Sequence, residues 1–168
     1  MHSFPERVHV RRNTHLAYTR INRRFAENLF HLLRPDDIVW VNDFHFLLVG
    51  NELRRLRWTG KTGFFLHVPF PPPEIFAVLP SAAQLLAGLA AYDLVGFQTE
   101  YDLFNFTRTS ELEVKGVSEG RTMTIENGSF QTGVYPIGID PTPFRPKSNE
   151  SDDAKTRRSA SRRPQEQQ

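Results

Sequence analysis

The amino-acid sequence predicts a three-layer α/β fold with a mainly parallel sheet. Short apolar runs without polar alternation are typical of strands covered on both faces, and they occur at residues 38–41, 63–67 and 93–97. Helical patterns separate these runs, so consecutive runs form βαβ units, which are right-handed in nearly all known proteins. With 168 residues, of which 39% are hydrophobic, the chain can form one domain with a substantial core.

The segment before the first predicted strand has the pattern of an amphipathic helix over residues 16–33. Its apolar residues recur at spacings near three and four, with charged residues mostly between them: Leu16, Ile21, Phe25, Leu29, Leu32 and Leu33. Pro35 ends this helix, because the residue before a proline is biased away from helical conformation. A second helical pattern, over residues 46–57, separates the first two strands.

A proline-rich loop follows the second predicted strand and leads to further helices. Pro73 is expected in the first turn of a short helix that runs to residue 79, because a missing N–H has no cost there. Ser81 is expected to cap the next helix, and Thr99 a helix over about residues 99–109.

The pattern changes after Ser110 to that of a β-hairpin. Residues 122–126 and 129–135 flank Asn127-Gly128, and an Asn-Gly pair between two such runs is the strongest short-range hairpin signal. The sequence therefore predicts a hairpin insertion after the third parallel strand.

Charge and composition limit the classes of function. The formal net charge of +2 comes from residues 147–168, which are almost free of apolar side chains and are expected to form a disordered polar tail. A nucleic-acid-binding arm is the less favoured interpretation, because no aromatic residues lie between its arginines. Residues 16–146 are then the folded domain and residues 1–15 an irregular N-terminus. The chain has no cysteine and no run near the roughly 18 apolar residues of a membrane span, so we expect a cytoplasmic protein without a membrane partner.

Polar side chains follow each predicted parallel strand. Asp43 and His45 follow the first strand, His67 the second and Gln98 the third. In open α/β sheets ligands bind outside the carboxyl ends of the strands, so these side chains are expected to share one crevice. The prolines after His67 stiffen the loop and give the imidazole a defined direction.

The residue types leave two interpretations open for each principal candidate. Asp43 either accepts hydrogen bonds from ligand hydroxyls or caps the following helix, and the two roles are compatible. His67 either exchanges hydrogen bonds with a hydroxyl or phosphate oxygen, or is a core histidine beside a rigid loop. Asp43 and His45 have no third ligand at a telling spacing, so no metal site is expected.

Four segments resemble, in order and spacing, the signature blocks of the trehalose-6-phosphate synthase family: residues 36–45, 63–76, 92–100 and 135–140. Residues 18–22 resemble the segment just before the first block. The resemblance therefore extends from about residue 16 to residue 144.

The resemblance implies a GT-B glycosyltransferase with two facing Rossmann-like domains, of which this chain is part of the acceptor-side one. It implies transfer of glucose from UDP-glucose to glucose 6-phosphate with retention of configuration, and without a metal ion or other cofactor. Asp43 would bind hydroxyls of the acceptor and His67 the donor glucose near the reacting centre. His45 and Gln98 would line the cleft.

The chain also departs from the family pattern. Asn42 and Phe44 stand where the family usually has histidine and tyrosine. The family's glycine-rich donor loop and its second domain, with the cations that hold the donor diphosphate, have no counterpart here. We therefore expect a truncated synthase with little or no activity alone. The alternative is a non-catalytic module that associates with itself, a full-length synthase or another partner through an unpaired sheet edge.

Overall fold

The computed structural model describes residues 12–126 and 128–140. The elements in chain order are α1 (Arg12–Phe30), β1 (Val39–Asn42), a 3₁₀ helix (Phe44–Phe46), α2 (Val49–Arg55), β2 (Thr62–Phe65), α3 (Pro73–Phe76), α4 (Ala82–Leu89), β3 (Leu94–Phe97), α5 (Glu100–Val114), β4 (Val117–Glu119), β5 (Thr122–Ile125) and β6 (Gly128–Val134). They all belong to a compact unit that ends at Ile137. Of a second unit, only residues 138–140 are described, and these are exposed and outside helices and strands.

The described strands form a six-stranded sheet in the order β1-β2-β3-β6-β5-β4. The neighbours β1, β2, β3 and β6 are parallel, whereas β5 is antiparallel to β6 and β4 to β5. The structure therefore confirms the mainly parallel α/β sheet, and the hairpin is part of it. The carboxyl ends of four adjacent strands lie at the same edge.

One face of the sheet carries the main hydrophobic core. Side chains alternate between the faces along a strand, and the core cluster contains these strand residues: Val39, Val41, Phe64, Val95, Phe97 and Phe130. Leu53 of α2, Leu86 of α4 and Phe106 of α5 are fully buried in the same cluster. These helices therefore pack against this face and hold the strand ends in register.

The opposite face carries aromatic side chains that lie over glycines. A Cβ atom on Gly63 would come within 2.5 Å of the Trp40 ring, and one on Gly96 within 2.7 Å of the Phe65 ring. The Trp40 and Phe65 rings are stacked, with centroids 6.4 Å apart. Glycine is required at both positions because the rings occupy the space of a side chain.

The first two predicted helices differ from the observed ones. α1 begins at Arg12, four residues before the predicted start. His15, in these four residues, contacts α4, because its Nε2 atom lies 2.8 Å from the Oε1 atom of Gln84. The predicted helix over residues 46–57 is divided into the 3₁₀ helix and α2. Side chains of α1 cause this division, because Tyr18 and Asn22 accept hydrogen bonds from the backbone N–H groups between the two helices.

The two predicted helix caps have different outcomes. Thr99 caps α5, because its hydroxyl accepts from Asp102 N while the Asp102 carboxylate accepts from Thr99 N. Ser81 occupies the N-cap position of α4 but its side chain makes no cap hydrogen bond. Its ψ of 15° departs from the extended conformation that a capping side chain normally needs.

The short helix predicted from Pro73 to residue 79 begins at Pro73 but ends at Phe76. The other differences lie in the second half of the chain. α5 continues to Val114, beyond the predicted end at residue 109, and Lys115 closes it in the left-handed conformation. β4 was not predicted, because its three residues are all exposed and show no apolar alternation. The hairpin strands are confirmed, while Asn127 and the expected tail at residues 147–168 lie outside the described residues.

Candidate functional site

Asp43 follows β1 in a backbone conformation that few residues other than glycine adopt. Its φ is 68° and its ψ is 165°, a combination that costs roughly 1–3 kcal/mol in a residue with a side chain. The Asp43 N–H donates to the carbonyl of Phe65 at 2.8 Å, which extends the pairing of β1 and β2 by one residue. A carboxyl side chain at a position that favours glycine points to a function for that carboxyl group.

The Asp43 carboxyl group also has a local structural role. Its Oδ1 atom accepts from the backbone N–H of Phe44 at 3.0 Å, at the start of the 3₁₀ helix. The cap interpretation is therefore confirmed. The same carboxyl group keeps a second oxygen, so capping leaves Asp43 able to accept hydrogen bonds from a ligand.

Tyr18 on α1 anchors the turn that follows Asp43. Its hydroxyl donates to the carbonyl of Phe44 at 2.7 Å and accepts from the N–H of Leu47 at 3.1 Å. Burial raises the pKa of Tyr18 to about 12, although the Leu47 hydrogen bond opposes this change. The phenol of Tyr18 is therefore neutral at all ordinary pH values, and its two hydrogen bonds fix the turn after Asp43.

His67 lies two residues beyond β2 and is exposed, so the interpretation as a core histidine is wrong. Its Nε2 atom is 3.1 Å from the Oδ1 atom of Asn42, the last residue of β1. Its ring packs edge-on against Phe65, with centroids 4.8 Å apart. The structure thus brings His67 to the residue next to Asp43, across two adjacent strand ends.

The loop after His67 is anchored by two polar side chains of α5 that sequence reasoning missed. Phe70 N donates to the Oδ1 atom of Asp102 at 3.0 Å, and Asn105 donates through Nδ2 to the Phe70 carbonyl at 3.1 Å. Both side chains are buried. The Thr-x-x-Asp cap pattern could have located Asp102, but its bond to Phe70 follows only from the tertiary fold.

The other two sequence candidates make contacts of different kinds. The Oε1 atom of Gln98 accepts from Ile137 N at 2.9 Å, so this oxygen holds the segment after β6. The exposed His45 ring stacks on Phe44, with centroids 4.0 Å apart, and its backbone carbonyl accepts from Asn22. Asn42, Asp43 and His67 therefore form the group that the structure brings together, and the cleft-lining roles of Gln98 and His45 stay predictions.

A cavity of about 320 Å³, also missed by sequence reasoning, lies between the start of α1, the proline loop and α4. Tyr18 and Phe44 border it, and most of the other lining residues are apolar: Leu47, Phe64, Leu66, Val68, Phe70, Phe76, Leu79, Leu85, Leu89 and Phe97. Such a lining suits an apolar group and offers little to a sugar or a phosphate. The polar candidate site is accordingly at the sheet edge.

Metal sites and membrane-spanning helices are both absent from the part of the chain that the structure describes. No group of three or more His, Cys, Asp or Glu side chains there could hold a metal ion. No helix in that part combines the length and apolar character needed to cross a bilayer.

The relatives of this chain in sequence include trehalose-6-phosphate synthases of several bacteria. Trehalose-6-phosphate synthase of Enterobacter sp. (strain 638) is 42% identical over 142 residues, which is 80% of this chain and 28% of the relative. The corresponding protein of Citrobacter koseri is 44% identical over 126 residues, covering 74% of this chain and 27% of the relative. The chain thus spans little more than a quarter of these relatives' length.

Solved structures resemble the fold over a similar stretch. An apo structure of OtsA has a TM-score of 0.77 and 41% identity, covering 81% of this chain and 31% of that chain. An E. coli structure bound with UDP-2-fluoro glucose has a TM-score of 0.78 and 37% identity over 89% of this chain and 34% of its own. The α,α-trehalose-phosphate synthase (UDP-forming) of Burkholderia xenovorans in complex with glucose-6-phosphate has a TM-score of 0.79 and 29% identity, over 89% and 36%.

A family model settles the classification that the sequence motifs indicated. The model of glycosyltransferase family 20 matches residues 1–165, and the relatives above agree with it in sequence and in fold. The chain belongs to glycosyltransferase family 20.

Proposed function

We propose that this chain contributes the acceptor-side part of a site that transfers glucose from UDP-glucose to glucose 6-phosphate, forming trehalose 6-phosphate and UDP. The strained Asp43 beside His67, at two adjacent strand ends, is the observation that carries the proposal. Support comes from relatives solved with UDP-2-fluoro glucose and with glucose-6-phosphate.

Asp43 binds the hydroxyl groups of the acceptor sugar. One carboxylate oxygen is engaged by the N–H of Phe44, and the other accepts from the ligand. The backbone on both sides is fixed, because Asp43 N–H pairs with Phe65 and Asp43 C=O accepts from Phe46. A carboxylate held in this way positions the acceptor without rearranging, and positioning is a large part of catalysis in a two-substrate transfer.

His67 binds the donor glucose next to the reacting centre. Its ring is held by Asn42 and Phe65 and is exposed to the crevice edge. In the family mechanism no enzyme carboxylate attacks the sugar, and the departing phosphate takes the acceptor's proton on the same face. His67 therefore contributes orientation and electrostatic stabilisation.

The chain by itself has little or no synthase activity. It spans 28% of the length of its Enterobacter relative, and the cations that hold the donor diphosphate belong to the family's second domain. Removing a single interaction that stabilises developing charge often costs about 3–4 kcal/mol of transition-state stabilisation, so this stretch of the family fold, assayed alone, is expected to show little or no turnover.

One observation favours a second candidate function. β1 is an edge strand of the described sheet. Ile38, just before it, and Trp40, within it, are 71% and 50% exposed. An edge with unpaired backbone groups and apolar side chains can pair with another chain. In this alternative the protein is a non-catalytic module that associates with a full-length synthase or a second copy.

A UDP-release assay with UDP-glucose and glucose 6-phosphate tests the proposal on the purified, folded chain. The expected result is no turnover by the chain alone, together with glucose 6-phosphate binding detected by NMR. Binding should be lost in Asp43→Ala and kept in His31→Ala, a control at an exposed histidine after α1. Equal binding by Asp43→Ala would contradict the assigned role. Absence of binding, with co-purification of a full-length synthase, would favour the module.

A further inference from the structure

The side chains of Trp40 and Asn42 form a short hydrogen-bonded chain that ends on His67. The indole Nε1 of Trp40 donates to the Oδ1 atom of Asn42 at 3.1 Å. The same Oδ1 atom lies 3.1 Å from the Nε2 atom of His67. Trp40 and Asn42 are two residues apart on β1, so their side chains leave the same face of the sheet.

The chemistry of these three groups allows one arrangement of protons. An indole N–H can only donate, so the amide atom that faces Trp40 must be the oxygen and not the nitrogen of Asn42. An amide oxygen can only accept, so Nε2 of His67 must be the donor in the second bond. A reversed amide would place two donors against each other at the Trp40 contact, so Trp40 fixes the orientation of the amide.

We infer that Trp40 and Asn42 are positioning residues that hold His67 with its proton on Nε2 and with Nδ1 as the ring atom left for a ligand. In the neutral ring Nδ1 is then an acceptor. Phe65 restricts the ring from the side, since the two rings are packed edge-on. Within the described part of the chain, no hydrogen-bond partner lies at Nδ1.

This arrangement deepens the proposed function and rests on it for the identity of the ligand. A neutral His67 would recognise a hydroxyl group that donates to Nδ1, and it would not donate to a phosphate oxygen through that atom. The crevice side of His67 therefore selects a sugar hydroxyl. The tautomer itself is a property of the free chain and does not depend on the ligand.

The test is ¹⁵N NMR of the histidine rings of the full chain at about pH 9, where histidine side chains are ordinarily neutral. The unchanged chain should show His67 protonated at Nε2 and unprotonated at Nδ1. Asn42→Leu keeps the size of the side chain and removes the acceptor, so the ratio of the Nε2–H to the Nδ1–H form should fall about fivefold, as expected for one intramolecular hydrogen bond. Asn42→Asp keeps acceptor oxygens and should restore the ratio.

Trp40→Phe provides the second variant, because it keeps an aromatic ring at this position and removes the indole N–H that orients the amide, together with part of the ring area. It should lower the same ratio, and the exposed His31 ring should be unaffected in every variant. Protonation at Nδ1 in the unchanged chain, or a ratio that Asn42→Leu leaves within twofold, would overturn the inference. The backbone amide spectrum shows whether each variant is folded.

Addition of UDP-glucose separates this inference from the proposed function. If both hold, the Nδ1 resonance shifts on addition of UDP-glucose while Nε2 stays protonated. If the tautomer is as inferred and Nδ1 does not respond while other resonances of the chain shift with UDP-glucose, the positioning role stands and the assignment of His67 to the donor sugar fails. If Nδ1 responds but carries the proton, the positioning role fails and donor binding stands.

Discussion

Asp43 combines a backbone conformation that favours glycine with a carboxyl group that caps the following turn, and two substitutions separate these effects. Asp43→Ala keeps the backbone strain and loses the bond to Phe44, at a cost of about 1 kcal/mol. Asp43→Gly also loses the bond but relieves roughly 1–3 kcal/mol of strain. The greater freedom of glycine in the unfolded chain lowers the free energy of unfolding again, by about 0.5–1 kcal/mol.

The glycine variant is therefore expected to have the higher free energy of unfolding, by about 1 kcal/mol. This reverses the order found in an ordinary helix or strand, where alanine is the more stable. Urea denaturation of both variants measures the difference, provided that the two unfolding transitions have the same slope. A free energy of unfolding for Asp43→Ala equal to or above that of Asp43→Gly would refute the argument from strain.

Arg57 offers a matched control, because it also has a positive φ, of 66°, and lies outside the candidate site. Arg57→Gly should stabilise the fold and leave glucose 6-phosphate binding intact, whereas Asp43→Gly should lose that binding. If both glycine variants kept binding, the strain at Asp43 would have no functional explanation.

Three further predictions concern groups that support the site. The pKa of Tyr18 is raised to about 12 from 10.0, so the neutral phenol stabilises the fold fully below pH 10. Between pH 10 and 12 the difference in unfolding free energy between the unchanged chain and Tyr18→Phe should shrink by about 2 kcal/mol. A constant difference in denaturant titrations would contradict this. Asp102→Ala leaves the buried N–H of Phe70 without its acceptor, and should lower the free energy of unfolding in urea by about 3 kcal/mol. Thr99→Ala, which removes only the cap hydroxyl, should lower it by about 1 kcal/mol. Equal decreases would show that the carboxylate matters only as a cap. Gly96→Ala places a Cβ atom 2.7 Å from the Phe65 ring and should lower stability by about 1–3 kcal/mol, whereas the unchanged melting temperature of a folded variant would show that the ring moves freely.

Local patterns in the sequence were sufficient for the parts of the fold that depend on neighbouring residues. The apolar runs predicted β1, β2 and β3 approximately, whereas β6 was predicted as a hairpin strand and not as a parallel neighbour of β3. Asp43 and His67 were selected because each follows such a run. The capping box at Thr99 is also local, since its partner Asp102 lies three residues away. These features depend on spacing along the chain, which the sequence displays directly.

Features that depend on tertiary packing could not be derived in this way. The bond between Asn42 and His67 requires the register that pairs Asn42 with Phe65. The division between the 3₁₀ helix and α2 requires Tyr18 and Asn22, which lie more than twenty residues earlier and reach across from α1. No periodicity within the divided segment signals either partner.

The two departures from the family motif differ in their consequences for the site. Phe44 has no hydroxyl, and its ring stacks on His45 while its backbone carries the bonds to Asp43 and Tyr18. Any side chain compatible with the 3₁₀ helix can therefore present the same backbone groups. Asn42 differs, because its amide oxygen accepts two donors at once and orients His67. A histidine there could accept through a ring nitrogen but has no single oxygen for both donors, so substitution of Asn42 by His should change the His67 environment more than substitution of Phe44 by Tyr.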